Sequence, residues 1–113
     1  MDIRTSDIDG VAVFSLDGDA LGGPDGSALH DALHDARGDS PLRVVVDLAG
    51  IRHMNSSGLG MLIGALTTTR NTGGDLRLAA VSDRVRTLLE VTKLDGVFQQ
   101  YPTAKDAAAS FSA

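Results

Sequence analysis

The apolar positions change period along the chain, and the changes mark out its elements. Residues 3–8 and 11–16 carry strand-type residues and flank Asp9-Gly10. That pair signals a two-residue hairpin turn, because both turn positions need positive φ. Residues 18–26 read as loop, with Gly22-Gly23-Pro24 as the breaker. A helix is expected over 25–37, where Leu29, Ala32, Leu33 and Ala36 share a stripe and Gly38 supplies the stop.

Leu42-Arg43-Val44-Val45-Val46 is almost continuously apolar, as expected of a central strand covered on both faces. It leads through Asp47-Leu48 and an expected loop to His53-Met54-Asn55. The helical period then resumes. Leu59, Leu62, Ile63 and Leu66 make the buried stripe of a helix that starts at Ser56 or Ser57 and runs to Asn71. Asn71-Thr72-Gly73-Gly74 stops it. Residues 76–80 read as another strand. Ser82 is placed to cap a short helix with Val85, Leu88 and Leu89 inward. Val97-Phe98 is expected to be a brief edge strand. Pro102-Thr103 opens a last helix, with Thr103 and Asp106 spaced as a partial capping box.

The order β-β-α-β-α-β-α-β-α predicts an α/β fold: a mixed, mostly parallel sheet of four to five strands, about four helices and an N-terminal hairpin. A chain of 113 residues suits a single domain over 1–113.

Charge and composition narrow the function. The chain has 15 acidic and 10 basic residues, a net charge of −5, and no visible basic patch. Nucleic-acid binding and attraction to anionic membranes are therefore not expected. With no cysteine, disulfides and thiolate metal sites are excluded. No apolar run approaches the ~20 residues of a membrane span, and Met1-Asp2-Ile3-Arg4 does not open a signal peptide. A cytoplasmic protein is expected.

The chemistry concentrates between Val44 and Gly60: a buried strand, a connection, and a helix N-terminus carrying Asn55, Ser56, Ser57 and Gly58. Sites on open α/β sheets gather at the carboxyl ends of strands. A helix N-terminus presents unpaired N–H groups and a partial positive charge, so it accommodates a phosphate. Phosphorylating Ser56 would add about 1.5 to 2 negative charges to an exposed face without melting the helix. On the residues alone two readings stand: ordinary helix capping by Asn55 and Ser56, or a regulatory site.

Other constellations carry less. His30 and His34 are spaced for one helix face but lack a third ligand, so no metal is expected. Ser56, His53 and Asp47 do not sit in the Gly-x-Ser-x-Gly elbow of a hydrolase, and no catalytic residue or cofactor is assigned. Gly58, Gly60 and Gly64 match neither a dinucleotide fingerprint nor a P-loop, and are expected to allow tight packing.

The run from Asp47-Leu48 to Met54-Asn55-Ser56-Ser57-Gly58-Leu59-Gly60 resembles the signature of STAS domains, most closely bacterial anti-sigma-factor antagonists. The likeness continues through Gly18 with its following acid, Gly73-Gly74, Ser82-Asp83-Arg84-Val85 with Leu88-Leu89, and Thr92-Lys93-Leu94 before Val97-Phe98. It implies a protein that releases sigma factor by binding an anti-sigma factor. That anti-sigma factor would also be a serine kinase of the histidine-kinase-like ATPase type. It implies phosphorylation at Ser56, with Ser57 the second choice, and resetting by a PP2C-type phosphatase. The partner-binding residues it implies are Asp19, Asn55, Ser56, Ser57, Gly58 and Leu59. Two positions depart from the family pattern. Asn55 replaces an Asp, and Gly18-Asp19-Ala20-Leu21 replaces Gly-Glu-x-Asp. A constitutive adaptor that is not phosphorylated, and a sensor of a nucleotide or lipid at the same corner, remain alternatives.

Overall fold

The computed structural model describes residues 1–36 and 41–112. Strand β1 (Asp2–Ile8) turns back into β2 (Val11–Ala20) through Asp9 and Gly10, which both adopt positive φ. Helix α1 (Pro24–Ala36) follows, and its expected extension to Arg37 and stop at Gly38 lie outside the described residues. Then come β3 (Arg43–Met54), α2 (Ser56–Asn71), β4 (Asp75–Ala79), α3 (Asp83–Val91), β5 (Gln100–Tyr101) and α4 (Ala104–Ala109). A 3₁₀ turn, Ser110–Ser112, closes the described chain.

The five strands lie in the order β1-β2-β3-β4-β5, with β1 antiparallel to β2 and the other pairs parallel. This is the mixed α/β sheet that the sequence predicts. Each parallel crossover steps the same way across the sheet. Right-handed crossovers then deliver α1, α2 and α3 to one face. Phe14, Leu16, Val44, Val46, Leu48, Leu76 and Leu78 meet Leu29, Leu33, Leu59, Leu62, Leu66, Val85 and Leu89 there. The opposite face is smaller: Val11, Val13, Val45 and Ala79 pack against Ala107 and Ala108 of α4. Val44, Val45 and Val46 are all fully buried, as a strand covered on both faces requires.

Three expectations need correction. Residues 18–20 and 49–52 are strand, not loop. In β3 two bulges each insert one extra residue against β2, between Asp47 and Gly50 and between Ile51 and His53. Asp47 Oδ1 accepts from the Ala49 N–H at 3.0 Å within the first bulge. The irregularity disguised the strand, because bulges break the alternation by which a strand is read. The third correction is at Val97-Phe98. Phe98 is a buried plug beneath a turn, and the edge strand forms two residues later at Gln100–Tyr101.

Helix α2 is fixed to the sheet through Gly58. A methyl group on Gly58 would overlap the carbonyl oxygen of Ala20 at the end of β2. By contrast, a Cβ on Gly60 or Gly64 would meet nothing within 4 Å, so tight packing explains only the first of these glycines. Gly58→Ala should lower stability by about 1–3 kcal/mol through overpacking. Gly60→Ala should raise it by up to about 1 kcal/mol through helix propensity. Urea unfolding of the pair checks this, and equal effects from both substitutions would refute the packing argument.

Candidate functional site

The carboxyl ends of β2 and β3 meet the N-terminus of α2 at one corner of the molecule. Asp19 pairs in register with His53, and Ala20 with Met54. Asn55 is the N-cap: its backbone is extended, and its side-chain oxygen accepts the Gly58 N–H at 2.8 Å. Its own N–H reaches the Ala20 carbonyl at 3.4 Å, and its carbonyl accepts the Leu59 N–H at 2.9 Å. The cap therefore ties the helix both to itself and to the end of β2.

Ser56 and Ser57 are exposed in the first turn, while Gly58 and Leu59 are buried beneath them. The two serines differ in their surroundings. Gly22 turns with φ +83°, and a Cβ there would lie 2.7 Å from Ser57 Cβ. The backbone after β2 is thus pressed against Ser57, which lies under this turn. No acidic residue stands in the first turn of α2, so the positive end of the helix is uncompensated by its own side chains.

Two further side chains reach this corner. The second bulge of β3 turns Arg52 outward, where its side chain is 74% exposed and its Nε lies 3.8 Å from Asp19 Oδ1. That is too long for a hydrogen bond, and Asp19 Oδ1 is buried without a hydrogen-bond partner. Arg84, at the start of α3, donates a hydrogen bond to His53 Nδ1. Its distance in sequence from His53 hid the pairing, and only the crossover from β4 brings α3 back to this edge.

Of the residues expected to bind a partner, Asp19, Asn55, Ser56, Ser57, Gly58 and Leu59 all gather at this corner. Asp47 is taken up by the bulge and His53 by Arg84, which leaves no hydrolytic triad with Ser56. Among the described residues no group of three metal-binding side chains forms.

The STAS domain family model matches residues 2–107. The chain belongs to the STAS family. Over 66 residues this STAS domain is 33% identical to an anti-sigma-B factor antagonist of Staphylococcus aureus, a match covering 58% of this chain and 61% of that protein. The chain therefore spans less than two thirds of the length of the curated relatives it matches. Among solved structures it is similar to an anti-sigma-factor antagonist (STAS) domain protein from Planctomyces limnophilus, with a TM-score of 0.83 and 25% identity over the whole of both chains. The phosphorylated form of the Bacillus cell fate determinant SpoIIAA shares the fold, with a TM-score of 0.69 at 16% identity over 97% of this chain and 99% of that one. No described helix is long and apolar enough to cross a membrane.

The cap makes a direct test of the corner's architecture. Asn55→Ala should cost about 1 kcal/mol by losing the acceptor for Gly58 N–H. Asn55→Asp should keep the cap and gain about 0.3–1 kcal/mol from the helix dipole. Equilibrium unfolding in urea reads both, and an Asn55→Ala variant as stable as the parent would show that the cap contributes nothing.

Proposed function

We propose that this STAS domain is an anti-sigma-factor antagonist switched by phosphorylation at Ser56. In its unmodified form it binds an anti-sigma factor that is a serine kinase of the histidine-kinase-like ATPase type, and so frees a sigma factor. Phosphate on Ser56 ends the interaction, and a PP2C-type phosphatase restores it. The domain is a regulator and performs no catalysis in this cycle.

The observation that carries the reading is the setting of Ser56. It is the first residue of α2, exposed, beyond the turn that presses on Ser57, and on backbone clamped to the sheet. The unpaired amides of the first turn favour a phosphate there, so modification leaves the helix intact. A dianion in a close protein interface acts through repulsion and desolvation, which favours release. The sequential strand order also supports docking over ligand capture, because it provides no point where the order reverses and opens a crevice. The names of the curated relatives point to the same partner class.

Incubation with ATP and the cognate kinase, followed by mass spectrometry, should place one phosphate on Ser56. Ser56→Ala should abolish it and still bind the kinase. Ser56→Asp should weaken binding by about tenfold or more, as introduced like charges do in close interfaces. Equal binding by Ser56→Ala and Ser56→Asp, with no phosphate incorporated, would instead identify a constitutive adaptor.

A further inference from the structure

The corner that carries Ser56 also holds out an apolar side chain that the core does not use. Leu21 follows the last residue of β2 and is 51% exposed. Its neighbours are both held against α2: Ala20 by the Asn55 N–H, and Gly22 by its close approach to Ser57. Leu21 is thus presented on backbone fixed at both sides, so little main-chain freedom is lost when it docks.

Two arginines collect at this corner although the chain as a whole carries −5. Arg52 is largely exposed and forms only a long, solvent-screened ion pair with Asp19, its Nε 3.8 Å from Oδ1. Arg84 leans on His53, and among the described residues no carboxylate forms an ion pair with it. The helix end adds its own partial positive charge. Two acids accompany this cluster: Asp19, 38% exposed and paired with Arg52, and Asp83, which pairs with Arg86.

We propose that this corner docks a protein face consisting of an apolar recess rimmed by carboxylates, with Leu21 filling the recess and Arg52 and Arg84 meeting the rim. The proposal rests on the docking role of Ser56 and names the chemistry of the partner's contact surface. A protein fits better than a nucleic acid, because the chain's overall negative charge opposes a polyphosphate and the exposed leucine has no use for one. Phosphorylation of Ser56 then acts twice. It sets a dianion against the partner's carboxylates, and it supplies Arg52 and Arg84 with a counter-charge on their own molecule.

The test uses the full chain and purified ATPase-type anti-sigma kinases encoded by the source genome, with Kd measured by calorimetry at low and high salt. Leu21→Asp, and separately the double variant Arg52→Glu/Arg84→Glu, should each weaken binding about tenfold or more. The double variant should also lose most of the salt dependence of the parent. Leu21→Met should bind as the parent does. Val91→Asp, altering another exposed apolar residue at the far end of α3, should have no effect on binding. Unchanged thermal unfolding midpoints show that each variant folds. If a kinase binds the parent, and Leu21→Asp and the double variant bind it within about twofold of the parent, this proposal is overturned while the role of Ser56 stands. If no kinase binds the parent, both fail together.

Discussion

The carbonyl oxygen of Ala20 is the point on which the functional corner depends. It ends β2, accepts the Asn55 N–H, and fills the space that a side chain on Gly58 would need. One atom thereby sets the depth and the starting point of α2 relative to the sheet. A glycine is required two residues after Ser56 for a steric reason that involves no partner and no phosphate. The exposed serines ride on this contact. Their position is anchored to β2 and β3, central strands each paired on both sides.

That anchoring would give the proposed phosphorylation of Ser56 a particular meaning. A phosphate on a flexible loop changes which conformations the loop visits. At the capped first turn of a clamped helix there is little conformation to change. The proposed phosphate would act through the field and hydration of the surface instead.

Much of this was legible in the sequence. The Val44-Val45-Val46 run located the central strand. Asp9-Gly10 located the hairpin, and Asn55 through Leu59 located the start of α2 and the corner itself. What was illegible came from two sources. Bulges in β3 interrupted the alternation, so residues that continue the strand to Met54 looked like a connection. Long-range contacts carry no local mark. Nothing near Arg84 announces His53, and nothing near Gly22 announces Ser57. The packing of Gly58 and the idleness of Gly60 and Gly64 are likewise invisible in a string where all three look alike.

The two faces of the sheet are covered very unequally in time as well as in area. The face bearing the three larger helices is assembled from segments that alternate with its strands, so each strand meets its cover soon after it is made. The other face offers Val11, Val13, Val45 and Ala79 to α4, whose Ala107 and Ala108 come more than ninety residues after Val11. Arg77 then stacks on Phe111 at 4.0 Å and bonds Ser110, fastening the segment in place. During synthesis on the ribosome that valine surface has to wait, wet and unprotected, until α4 leaves the exit tunnel. Exposed apolar surface of this kind is what makes a folding intermediate prone to aggregation, and α4 is the element that removes it here.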